Sequence, residues 1–141
     1  MAVERMSLDF AADTKREALE QLADLFTDLD REAVIAALEA REALASTGVG
    51  SGVAIPHGRV PGVDRVRAAV AICGAGVDFE AIDGEPVRIF VALLAPEGGA
   101  GEHLRALARF SRVLRNEATR SAILAAQDAA QVFEIFDRSD R

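Results

Sequence analysis

The sequence predicts an α/β layered domain, a small mixed β-sheet flanked by helices. Three observations lead there. Amphipathic helical patterns open and close the chain, and the strand-like segments are interleaved with them rather than gathered in one half. Val87 to Leu94 is a run of apolar residues interrupted only by Arg88, the pattern of a strand covered on both faces. A length of 141 residues, 50% of them hydrophobic, suffices to bury one core.

In chain order, residues 7 to 12 alternate weakly and are expected to form a short first strand. Thr14 with Glu17 three places on is a capping-box pattern, and Ala18, Leu19, Leu22, Leu25, Phe26 and Leu29 recur at helical spacing, so a helix should run to about Asp28. Asp30 caps a second helix whose apolar side is Val34, Ile35, Leu38 and Leu44. A glycine-rich run then feeds a short apolar strand, Val53 to Pro56, that stops at His57. Pro61-Gly62 marks the following residues, 59 to 64, as a loop, and Arg65 to Cys73 alternates as a strand. Asp83-Gly84 signals a turn before the strand at 87 to 94, and residues 96 to 101 form a glycine-rich loop. A helix begins at Glu102 with Leu104, Leu107, Phe110 and Leu114 facing inward, and two shorter helices, 118 to 126 and 129 to 136, close the chain, the last capped by Asp128.

His57 is the residue around which this organisation turns. Pro56 pushes the backbone before it toward extended geometry, and Gly58 frees the backbone after it to turn. An imidazole at a strand end, with an unperturbed pKa of roughly 6.5, is largely neutral and offers a ring lone pair near pH 7. The same placement also suits a histidine merely held by hydrogen bonds. A dinucleotide loop is excluded, because after Gly48 and Gly50 the third glycine of the GxGxxG spacing is replaced by Val53. A phosphate-binding P-loop is excluded as well, since Lys15 is the chain's only lysine.

The second histidine, His103, falls in the first turn of its helix, where backbone N–H groups and the helix dipole favour an anion. With only two histidines and no short His/Cys/Asp cluster, no metal site is expected. Gly50-Ser51-Gly52 lacks the spacing of a serine-hydrolase elbow. Two neutral imidazoles with an arginine, Arg41, nearby in sequence suit phosphoryl transfer better, one ring attacking phosphorus while the other groups steady its oxygens. A net charge of -7 argues against non-specific nucleic-acid binding. The lone Cys73, in an apolar run, reads as a buried inert thiol. No segment suggests export or membrane insertion, so a cytoplasmic protein is expected.

The run from Arg41 through Ser46-Thr47-Gly48 to Ala54-Ile55-Pro56-His57-Gly58 resembles the active-site segment of enzyme IIA domains of the fructose and mannitol class in the bacterial phosphoenolpyruvate-dependent phosphotransferase system. The nitrogen-regulatory IIA proteins are the most similar branch. The likeness continues through Phe79 to Gly84, the strand at 87 to 94, the Ala95-Pro96-Glu97-Gly98 loop and His103-Leu104 with Leu107-Ala108, and implies one IIA domain over residues 1–141. It implies that His57 accepts a phosphoryl group on Nε2 from a phosphocarrier protein, HPr or its nitrogen-branch paralogue NPr. His103 and Arg41 match the family's second active-site histidine and its arginine, and Ser46 and Thr47 match a hydroxyl pair expected to add hydrogen bonds to phosphate. No metal or other cofactor is implied. Ala45 stands where these proteins often carry glycine and Ser51 where the nitrogen branch often has asparagine, and the segment before the first strand looks short. Neither an IIB-like cysteine motif nor a membrane span accompanies the domain, so a regulatory IIA read by downstream protein targets is expected. Transfer to a sugar-specific IIB protein is the alternative, and a sensory module of a larger regulator a third reading.

Overall fold

The computed structural model describes residues 3–98 and 100–140. Among these the chain forms β1 (Val3–Ser7), α1 (Lys15–Asp24), α2 (Arg31–Glu42), β2 (Gly48–Gly50), β3 (Val53–Ala54), β4 (His57–Arg59), β5 (Arg67–Val77), β6 (Val87–Ala95), α3 (Ala100–Leu114), α4 (Glu117–Ala125) and α5 (Ala129–Ser139). The strands join in one mixed sheet of order β1-β5-β6-β3-β2, with β4 also pairing with β6. β5 and β6 are antiparallel; β1 runs parallel to β5, and β3 and β4 run parallel to β6. The α/β layered architecture expected from the sequence is the one observed.

β6 explains the layering. Phe90, Ala92 and Leu94 point to one face and Ile89, Val91 and Leu93 to the other, all within 1% of complete burial. The first face packs against α1 and α2 through Leu19, Leu22, Val34 and Leu38, and the second against α3 to α5 through Phe110, Ile123, Val132 and Phe136. Phe90 sits between the rings of Phe10 and Phe79, with both centroids at 5.3 Å. Cys73 is buried on the α1/α2 face.

The helix starts follow the capping residues. Thr14 accepts the Glu17 N–H at 3.1 Å, Asp30 that of Glu32 at 3.1 Å and Asp128 that of Gln131 at 2.9 Å. α1 ends at Asp24, before the expected boundary, and the chain continues in turns that still bury Phe26. Asp28, in that stretch, takes a bidentate pair of hydrogen bonds from Arg67, which also reaches Glu4, so one guanidinium ties β1, β5 and the α1–α2 connection.

Other boundaries also differ from the sequence reading, α3 among them, which starts at Ala100 rather than Glu102. β1 lies at 3 to 7 rather than 7 to 12, because an edge strand with one buried residue, Val3, needs no apolar alternation. Phe10, which prompted the reading, is buried from the loop after it. β5 continues past Cys73 to Val77, since Gly76 at φ 81° carries the strand through an irregularity and Val77 re-pairs with Val87. The glycine-rich run before His57 forms two short strands, β2 and β3, and His57 begins a strand, β4, rather than ending one. Among the described residues no helix is long and apolar enough to cross a membrane.

Candidate functional site

His57 opens β4, opposite Leu93 of β6. Pro56 has no N–H and breaks the edge between β3 and β4, although its carbonyl still accepts from Leu93 at 2.9 Å. The Ile55 carbonyl turns instead to the imidazole, 2.7 Å from Nδ1. A ring nitrogen facing a carbonyl oxygen must carry the proton, so Nδ1 donates and Nε2 keeps its lone pair.

Arg41 reads the ring the same way, donating its Nε–H to His57 Nε2 at 3.2 Å. A second N–H, on Nη1, goes to the Ala45 carbonyl at 2.9 Å and fixes the guanidinium. α2 reaches β4 this closely because Gly58 has no side chain: a Cβ there would lie 3.0 Å from the Ala37 carbonyl carbon, oxygen and Cβ.

From the other helical layer comes His103, 7% exposed, its ring 5.2 Å from that of His57 and tilted at 74°. Its Nε2 is buried without a hydrogen-bond partner among the described residues. Buried polar atoms are rarely left so, unless a ligand completes them. His57, His103 and Arg41 line one cleft of about 490 Å³ at the edge strand, between α2 and α3, together with Arg59 and the apolar Leu44, Leu104 and Leu107.

Both rings are held toward neutrality. Burial lowers the His57 pKa below its ordinary value and the Arg41 charge lowers it further, against the opposing pull of the Ile55 carbonyl and Glu42. For His103 the causes are burial, then His57, then Arg59. The cleft therefore presents an uncharged nucleophilic nitrogen beside a second imidazole and two guanidiniums, a set able to receive and hold an anionic electrophile. Among the described residues no three His, Cys, Asp or Glu side chains gather as metal ligands.

Ser46 and Thr47 do not line this cleft. Thr47 is 3% exposed, and its N–H and hydroxyl both go to the Glu42 carboxylate. Ser46 Oγ accepts the Gly48 N–H at 3.0 Å. Both hydroxyls brace the segment internally, away from the cleft where the sequence reading expected them to meet phosphate. Leu104 is likewise 67% exposed rather than inward, because α3 turns His103 and Phe110 to the interior and leaves Leu104 outside. Leu44, just past the end of α2, is 81% exposed. Sequence reasoning placed Arg59 in a loop and did not single out Glu42; the i, i+2 spacing from His57 was the signal for Arg59.

The family model described as "Phosphoenolpyruvate-dependent sugar phosphotransferase system, EIIA 2" matches residues 1–139. The chain belongs to this family. A nitrogen regulatory protein of Bradyrhizobium diazoefficiens is 39% identical over 125 residues, covering 86% of this chain and 82% of the relative. A "PTS system fructose-specific EIIA component" of Haloferax volcanii is 36% identical over 137 residues, covering 94% and 89%. Among solved structures, the crystal structure of nitrogen regulatory protein IIA-Ntr from Neisseria meningitidis superposes with a TM-score of 0.89 at 35% identity, covering 94% of this chain and 92% of that one. EIIA 2 proteins are phosphoryl-transfer components, and this chain carries the nitrogen-regulatory and the fructose-specific likeness together.

Proposed function

We propose that this EIIA 2 protein accepts a phosphoryl group on His57 Nε2 from a phosphohistidine of a small carrier protein, HPr or NPr, and acts chiefly as a regulator read by other proteins. The observation that carries the reading is the Nδ1 contact with the Ile55 carbonyl at 2.7 Å, which leaves Nε2 as the ring's one nucleophilic atom, inside the cleft. That lone pair attacks phosphorus, the P–N bond to the donor imidazole breaks, and its electron pair returns to the donor ring. His103, with an unsatisfied Nε2, and Arg41 then hold the phosphoryl oxygens. Phosphorylation adds up to about two negative charges at a cleft rimmed by Leu44 and Leu104, which changes what docks there without refolding the domain. In this reading the protein works in the cytoplasm, alongside its carrier.

The regulatory role is supported by the nitrogen regulatory relative and the IIA-Ntr structure. The fructose-specific relative favours a second reading, in which phosphate passes on to a IIB protein. Incubation with phosphoenolpyruvate, enzyme I and a carrier should add one acid-labile, base-stable phosphate, and His57→Ala should abolish it. Labelling that persists in His57→Ala refutes the assignment. Pull-downs with His57→Ala and His57→Glu separate the two roles. A non-phosphotransferase partner retained by one form alone supports regulation, and rapid transfer to IIB with no such partner supports relay.

A further inference from the structure

We propose that Arg59 is a third phosphoryl-contacting group of the cleft, gripping the non-bridging oxygens from β4 as Arg41 does from α2. The inference rests on His57 being the acceptor, and it concerns how the transferred group is held. Arg59 stands two residues after His57 in a strand, and that spacing puts the two side chains on one face. It lines the same cleft as His57, His103 and Arg41.

Its guanidinium has no hydrogen-bond or ion-pair partner among the described residues, although the chain carries 23 carboxylates against 16 basic side chains. Arg67 sits between Glu4 and Asp28, Arg31 bonds Asp24 and Arg120 holds two backbone carbonyls, and although Arg88, Arg105 and Arg115 also lack such partners among the described residues, none of these three lines the cleft. Arg41 commits one of its five N–H groups to Ala45 and, until His57 is phosphorylated, a second to His57 Nε2, so part of its fork is fixed before transfer. Three anionic non-bridging oxygens present more acceptor sites than one guanidinium fills, and Arg59 brings five further N–H groups at the cleft wall. The Arg59 charge is also felt at His103, after burial and the charge of His57, which places its field inside the cleft.

During transfer, as the P–N bond to the donor ring breaks and the bond to His57 Nε2 forms, charge on the three oxygens is met from two sides. The test uses the full chain, phosphorylated carrier as donor, and the variants Arg59→Ala and Arg59→Lys, with thermal melting as the check on folding. Arg59→Ala should lower kcat of His57 labelling about ten- to hundredfold, the scale of a charge-assisted hydrogen bond lost from a transition state. Arg59→Lys should recover part of the loss, as a point charge without the fork. In the unphosphorylated Arg59→Ala variant the His103 ring should titrate at higher pH by NMR, a change that a merely structural arginine would not produce. Unchanged rates, or a rise in KM with kcat intact, overturn the proposal, the latter making Arg59 a carrier-docking residue only. A wild-type chain that takes no phosphate defeats the acceptor reading itself, an outcome distinct from wild type and Arg59→Ala labelling alike.

Discussion

The Glu42 carboxylate receives both the backbone N–H and the hydroxyl of Thr47, at 3.0 and 2.5 Å. Its side chain is 4% exposed, and Lys15 Nζ lies 3.0 Å away. One buried carboxylate thus clamps the last residue of α2 to the start of the glycine-rich segment and to α1. Its neighbour in sequence, Arg41, is the residue that reaches His57, so the clamp sets where that guanidinium stands.

Glu42→Ala leaves the Thr47 donors without their acceptor in the interior. It should destabilise the fold by about 2–4 kcal/mol. Glu42→Gln, which keeps an acceptor and loses the charge, should cost less. Urea unfolding of the three proteins checks both the size and the order.

Gly58→Ala drives a methyl against the α2 backbone at Ala37. Overpacking of this kind costs about 1–3 kcal/mol. Displacement of α2 should also lengthen the Arg41–His57 contact and slow phosphate labelling of His57. Gly74→Ala, where an added Cβ meets nothing within 4 Å, should leave labelling as it was.

Arg41→Ala removes the positive charge at Nε2, so the His57 ring should titrate at a higher pH in NMR spectra than in the parent. His103→Ala should slow transfer in at least one direction by about ten- to hundredfold, on the scale of a lost preorganised donor, without preventing labelling. Equal forward and reverse rates in parent and variant would remove His103 from the mechanism.

The pKa of each histidine is lowered on folding, chiefly by burial. As pH falls, the unfolded chain binds protons first, at about 6.5. Stability should therefore be full above that value, decline as pH falls toward the lower folded pKa values, and level off beneath them. His57→Gln/His103→Gln should flatten this dependence in pH-resolved melting curves. Phosphate acceptance needs the neutral ring, so its acid limb should lie below the usual histidine range.

The layers were legible in the sequence because β6 alternates between two covered faces and the helices carry their caps at Thr14, Asp30 and Asp128. The sequence also singled out His57, Arg41 and His103, and the fold brings all three to one cleft. What escaped was governed by tertiary contact. β1 hides because an edge strand can be polar, and Leu104 misleads because the apolar stripe of α3 yields one of its places to a buried histidine. The engagement of Thr47 depends on Glu42, five residues earlier and across a helix end, a pairing that no local pattern encodes.

The break that Pro56 makes in the sheet edge has a chemical consequence. With Nδ1 committed to the Ile55 carbonyl, phosphorylation of this ring as proposed would yield a single regioisomer, τ-phosphohistidine, and none of the π form. Antibodies that discriminate the two isomers should see only the former, the regiochemistry of the product then being written by a main-chain oxygen two residues upstream.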